Sequence, residues 1–136
     1  MNLDMLKRQH EEIFSVLLEI KDIVRQGNLE RDAADIAKQI SILAGKLKIH
    51  LASEDKYMYP SLLNDGNPEL KKMAEKFIKE MGDISDVFTE FKDRYNTKTK
   101  ILNNRDGFLK EIENIFKTLE NRIEKENKVL YPLIKS

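Results

Sequence analysis

The sequence predicts an all-α protein, folded as an up-down-up-down four-helix bundle. Three observations predict it. Four long stretches carry apolar residues at alternating spacings of three and four, which is the signature of a helix with one buried stripe. Glycine and proline are scarce, at 5 and 3 residues, and most of them fall where those stretches end. A segment in the middle of the chain also recurs near the C-terminus, so helices come in matching pairs.

The first helix is expected from Leu3 to Gln26. Leu3, Leu6, Ile13, Leu17, Ile20 and Val24 form its stripe, and His10 fills the one gap. Gly27 and Asn28 supply a left-handed stop. A longer helix is expected from Glu30 to Leu63, with Ile36, Ile40, Leu43, Leu47, His50, Glu54, Tyr57 and Ser61 on its seam. Pro60 lies inside that pattern and is expected to kink the last turn without ending the helix. Asn67 then caps a third helix with Pro68 in its first position. Its stripe reads Leu70, Met73, Phe77, Met81, Ile84, Phe88, Phe91 and Tyr95. Residues Thr97 to Asp106 read as a loop, rich in Asn and Thr, and Asp106-Gly107 opens the fourth helix. That helix is expected to bury Phe108, Ile112, Ile115, Leu119, Arg122, Glu126, Val129 and Leu133. A period nearer 3.5 than 3.6 suits shallow left-handed crossings.

The repeat pairs His50-Leu-Ala-Ser-Glu54-Asp-Lys-Tyr-Met-Tyr59-Pro60 with Arg122-Ile-Glu-Lys-Glu126-Asn-Lys-Val-Leu-Tyr131-Pro132. Glu, Lys, Tyr and Pro match outright, and Asp55 and Asn127 match in kind. One position breaks the match: His50 is answered by Arg122. The first helix aligns on the third with His10 over Met81, Ile13 over Ile84, Val16 over Val87 and Ile20 over Phe91. An internal pseudo-two-fold relating helix pairs 1-2 and 3-4 is therefore expected.

Bulk properties remove several function classes. A chain of 136 residues suits one domain, taken here as 1–136. Lys plus Arg and Asp plus Glu balance at 24 each, so nothing draws the chain to nucleic acid or to an acidic membrane. The lysines of residues 91–100 are broken by Asp93 and read as a solvated helix end. The absence of cysteine excludes disulfides, iron–sulfur clusters and thiolate sites. Residues 1–10 show no apolar signal core, and the run Ile13–Ile20 is too short and too interrupted to span a bilayer. A cytoplasmic location is the expectation.

Five polar residues sit where the seam asks for aliphatic ones: His10, His50, Glu54, Arg122 and Glu126. Buried charges are normally paired or metal-bound, so these groups are expected to meet. A seam histidine by itself is more often a hydrogen-bonded core residue than a ligand. Two imidazoles and two carboxylates in register shift that balance, because together they suffice for one divalent ion. From pattern alone, a metal site and a hydrogen-bonded polar core both stay open.

These residues resemble the hemerythrin-like (HHE cation-binding) domain. The likeness is carried by His10 in the first helix, by His50-x-x-x-Glu54 followed by Tyr-Met-Tyr-Pro, and by Glu126 followed by Val-Leu-Tyr-Pro. It covers essentially the whole chain. It implies a four-helix fold and a non-haem di-iron centre bridged by two carboxylates. It also implies roles in dioxygen binding, in iron or oxygen sensing, or in response to nitric oxide or peroxide. Carried over, it makes His10, His50, Glu54 and Glu126 the metal ligands of the first ion. Where the family's second ion takes its histidines, this chain has Phe77, Met81 and Arg122. Phenylalanine does not ligate, thioether suits soft ions, and guanidinium repels cations. The second ion is expected to be lost, with Arg122 supplying its positive charge to both Glu54 and Glu126. The opposing expectation has Arg122 snorkelling outward, with only its methylenes buried.

The leading expectation is a protein holding one non-haem ion, iron foremost with Zn, Mn and Ni as alternatives, in a sensing, storage or redox-response role. Dioxygen or another small gas is its expected partner. The alternative is a metal-free bundle that serves as a regulatory or protein-interaction module. A haem bundle with His10 or His50 and Met81 as axial ligands ranks last, because Glu54 and Glu126 in the same core oppose a flat apolar macrocycle. Two histidines and a carboxylate also resemble the facial arrangement of oxygen-activating iron enzymes. No substrate pocket is legible, and catalysis is not expected.

Overall fold

Residues 3–134 are described by a computed structural model of the chain. The described residues are overwhelmingly helical: α1 (Asp4–Arg25), α2 (Leu29–Ser53), α3 (Tyr59–Leu63), α4 (Pro68–Tyr95), α5 (Lys98–Asn103) and α6 (Arg105–Lys125). The outermost residues of the expected 1–136 domain lie outside the described ones. Four of these six helix starts have a capping side chain. Asn28, Asn67, Thr97 and Asn104 accept from the backbone N–H of Arg31, Glu69, Lys100 and Gly107, satisfying donors that a helix leaves open at its first turn. Gly27 ends α1 at φ +72°, a conformation that other residues adopt only at a cost.

Two of these starts differ from expectation. The segment predicted as loop contains α5, whose Ile101 is fully buried in the main apolar cluster, so one well-placed side chain turns an Asn- and Thr-rich linker into a packed turn. The last long helix begins at Arg105, because Asn104 caps it two residues earlier than Asp106 would.

A third difference bears directly on the site. The expected continuous helix to Leu63 is interrupted at Glu54–Met58, and the same interruption recurs at Glu126–Leu130. In both, the chain makes a wide turn closed by a bond from residue i+5. The Tyr59 N–H donates to the Glu54 carbonyl, and the Tyr131 N–H donates to the Glu126 carbonyl. Proline explains the position. In a straight helix the Pro60 ring would press on the Lys56 carbonyl, and Pro132 on that of Lys128; widening the preceding turn relieves the clash.

The extra residue rotates everything after it by about 100°. Tyr57, expected on the seam, is 48% exposed and Ser61 is also exposed, while Met58, Tyr59 and Leu62 are buried. Likewise Val129 and Leu133 are 42% and 39% exposed, and Leu130 and Tyr131 take the interior. Phe116 and Ile123 join the interior of α6, and Ile115 is only partly buried. The alignment of α1 on α4 fails at one pair, since Val16 is buried and Val87 is 52% exposed.

α1 packs along α2, α2 also meets α4 and α5, and α6 meets α4 and α1. The interior is divided. One apolar cluster contains Ile13, Leu17, Ile40, Leu47, Phe88, Phe116 and Leu119, and the other contains Leu6, Met58, Tyr59, Phe77, Leu130 and Tyr131. Between them in sequence, on helix after helix, stand His10, His50, Glu54, Arg122 and Glu126, all at most 4% exposed. A charged layer thus separates two greasy ones. No helix among the described residues is long and apolar enough to cross a membrane.

A candidate metal centre

His10, His50, Glu54 and Glu126 converge. One potential ligand atom from each lies within 4.8 Å of the others, and all four side chains are buried. Helical spacing does half of this work: His50 and Glu54 are four apart on one face, with His50 Nε2 3.5 Å from Glu54 Oε2. The other half is tertiary. His10 Nε2 stands 2.9 Å from both His50 Nε2 and Glu126 Oε1, and His50 Nε2 is 3.5 Å from the same carboxylate oxygen.

The outward nitrogens of both rings face side-chain carbonyl oxygens. His10 Nδ1 lies 2.8 Å from Asn127 Oδ1, and His50 Nδ1 lies 2.9 Å from Gln9 Oε1. An amide oxygen only accepts, so each Nδ1 carries its hydrogen and donates. Each Nε2 then turns inward, and two such nitrogens 2.9 Å apart repel unless a proton or a cation lies between them. Ligand atoms that are neighbours on one ion, with bonds of about 2.0–2.1 Å, stand about 3 Å apart, so the observed spacing suits such an ion.

The carboxylates tell the same story. Glu54 Oε2 accepts from the Tyr131 hydroxyl at 3.2 Å, and that hydroxyl also lies 3.1 Å from His10 Nε2. The Tyr131 ring stacks on His10 with 5.0 Å between ring centres. Glu54 Oε1 and Glu126 Oε2 are buried with no hydrogen-bond partner. Unpartnered buried carboxylate oxygens are costly, and a cation is the species that satisfies them. The residues present therefore fit a divalent ion.

Electrostatics follow from the crowding. Burial raises the Glu54 carboxyl above its usual range; His50 opposes this, and the Glu126 charge adds to it. For Glu126 burial acts the same way, but His10 and His50 outweigh it and hold the group down at about 2. Burial alone would lower His50, yet its bonds to Glu126 and Glu54 prevail and bring it up to about 9. Burial, then the two carboxylates, push the Tyr59 and Tyr131 phenols far up, so both remain neutral hydroxyls.

Arg122 is buried rather than snorkelling, at 4% exposure. Its fork does not join Glu54 to Glu126 as expected. Nη2 donates to the Phe77 carbonyl at 2.7 Å, Nη1 pairs with Glu80 at 3.0 Å, and only Nε approaches Glu126 Oε2, at 3.4 Å. That last contact is an ion pair without hydrogen-bond alignment, since both atoms lack a bonded partner. The guanidinium also lies 4.2 Å from the centre of the Phe77 ring. Phe77 and Met81 are buried, as expected of the stripe.

Gln9 and Glu80 were not among the residues expected at the site. Gln9 directly precedes His10 and looks like surface, and Glu80 precedes Met81 in the same manner. The signal was present, because the alignment that puts His10 over Met81 puts Gln9 over Glu80.

A family model described as the hemerythrin HHE cation binding domain matches residues 1–134. No curated protein and no solved structure matches the chain. With its buried His and Glu group in place and the family model spanning nearly its whole length, the chain belongs to the hemerythrin HHE cation-binding family.

Proposed function

We propose that the chain is a single up-down-up-down bundle with an approximate two-fold axis. In this reading it binds one non-haem divalent ion, iron foremost, through His10, His50, Glu54 and Glu126. One observation carries this. Two imidazole Nε2 atoms face each other at 2.9 Å while both Nδ1 atoms are engaged by amide oxygens. Imidazole and carboxylate together suit Fe, Mn, Zn or Ni. Iron bound there would supply a redox-active centre sealed between two apolar layers. The residues' own work is to orient the two rings, to concentrate negative charge, and to exclude water.

The role that fits is sensing, storage or redox response in the cytoplasm, with dioxygen or another small gas as partner. Arg122 stands for the second ion: a fixed positive charge beside Glu126 disfavours another cation there. The alternative, a metal-free regulatory or interaction module, leaves Glu54 Oε1 buried with no hydrogen-bond partner and Glu126 Oε2 with only the Arg122 charge at 3.4 Å. Elemental analysis of protein purified without chelator tests the reading. About one ion per chain is expected. Zero after loading with Fe(II), Zn(II) and Mn(II) overturns it, and two overturns the role given to Arg122.

A further inference from the structure

Behind His50 runs a hydrogen-bond relay whose direction is fixed from one end. The Ser53 hydroxyl donates to the Ile49 carbonyl at 2.9 Å, so its oxygen is left to accept. Gln9 Nε2 donates to that oxygen at 3.1 Å, which turns Gln9 Oε1 toward His50 Nδ1 at 2.9 Å. Which end of a glutamine amide carries the oxygen follows from its partners, and here the partners permit one orientation. The backbone carbonyl of Ile49 thus dictates, through two side chains, which ring nitrogen of His50 bears the outer hydrogen.

The other half of the molecule repeats the arrangement with every link charged. Lys125 Nζ lies 3.5 Å from Glu80 Oε2, and Glu80 Oε2 lies 3.0 Å from Arg122 Nη1. Ser53 and Lys125 correspond, as do His50 and Arg122, at the 72-residue offset, and Gln9 and Glu80 correspond in the α1–α4 alignment. In both halves the residue before the α1 or α4 seam position holds the inward group of the neighbouring helix. An amide holds an imidazole, and a carboxylate holds a guanidinium.

The geometry points to Gln9 as a positioning residue: oriented by Ser53, it fixes the His50 ring so that Nε2 faces the candidate metal group. This rests on the proposed ion at that group. Outer partners of ligating histidines set tautomer and ring angle, and their loss typically weakens metal binding 10–100-fold.

The test uses zinc(II) and the full chain. Affinity is measured by competition with a chromophoric chelator for wild type, Gln9→Met, Gln9→Glu and Ser53→Ala. The exchange-protected His50 Nδ1–H proton is followed by NMR in the metal-free proteins. Gln9→Met is expected to lose about 10–100-fold in affinity and to lose the protected proton, with helicity and melting unchanged. Gln9→Glu still accepts from Nδ1 and is expected to stay within about threefold of wild type. Ser53→Ala is expected to fall between the two. Gln9→Met binding zinc as wild type does, or keeping the protected proton, overturns the assignment, and so does a Gln9→Glu as weak as Gln9→Met. If wild type takes up no zinc, the ion proposal fails by itself, and the Nδ1 proton still decides the role of Gln9.

Discussion

Raising pH should strengthen metal binding and weaken the metal-free protein, and both effects trace to one proton on His50. Its pKa is brought from 6.5 to about 9, because Glu126 and Glu54 outweigh the burial that opposes them. At neutral pH the metal-free site therefore keeps a proton that an ion must displace. Each pH unit below about 9 should weaken binding tenfold, or about 100-fold between pH 9 and pH 7, near 2.7 kcal/mol. The sign for folding is opposite. A folded-state pKa raised above the unfolded one stabilises fully below about pH 6.5, and that stabilisation disappears as pH rises through about 9. The shift is worth about 3 kcal/mol in a group this deeply buried. Zinc titrations from pH 6.5 to 9 by calorimetry in two buffers of different ionisation heat should show this rise and the release of about one proton per ion. The melting temperature of metal-free protein should fall over the same range while that of zinc-loaded protein does not. Affinity that stays flat across those pH values would refute the reasoning.

Three further outcomes follow from particular contacts. Met58→Ala should cost about 2–5 kcal/mol in urea unfolding and Tyr57→Ala about 1 kcal/mol or less, because the wide turn buries the first side chain and exposes the second; the reverse order would mean an uninterrupted helix. Tyr131→Phe keeps the ring stacked on His10 but removes the donor to Glu54 Oε2, so metal-free protein should lose about 1–3 kcal/mol, and a loss under about 0.5 kcal/mol would show that the hydroxyl contributes little. Met81→His combined with Arg122→His removes the fixed cation and adds two imidazoles, and under iron loading the ion count per chain should rise above that of wild type; an unchanged count by elemental analysis speaks against Arg122 as the reason for a single ion.

What was legible in the sequence was whatever depends on identity and spacing. His10, His50, Glu54 and Glu126 were found because polar side chains interrupt an apolar period, and a period survives any detail of packing. The N-cap at Asn67 was legible for a similar reason, since a short polar side chain beside Pro68 has one favourable use. Phase was not legible. Pro60 and Pro132 announced a disturbance, but a kinked helix and a widened turn share the same residues and differ only in which of Tyr57 or Met58 points inward. The period carried past residues 54 and 126 therefore named the wrong side chains. Arg122 failed in another way. Its charge and burial were foreseen, but its fork reaches Glu80 and the Phe77 carbonyl, because a long side chain goes where acceptors lie across the packing.

The paired relays explain why one half of a repeated framework would hold an ion and the other would not. Two links of each relay lie on one helix at matching positions, Ser53 with His50 and Lys125 with Arg122, and the third comes from α1 or α4. The backbone places both innermost groups beside Glu126. What differs is the charge that each relay delivers. The Ser53–Gln9–His50 chain can end in a lone pair, and a lone pair beside Glu54 and Glu126 attracts a cation. The Lys125–Glu80–Arg122 chain ends in a guanidinium, a cation with no lone pair to offer, which already lies 3.4 Å from Glu126. An ion on that side would meet a positive charge that cannot leave, because Glu80 and the Phe77 carbonyl anchor it. The asymmetry is therefore built outside the inner layer. Replacing Arg122 alone leaves Glu80 facing the gap as an acid, whereas supplying imidazole at both 81 and 122 gives that acid a ring N–H to accept, the arrangement that Gln9 already provides for His50.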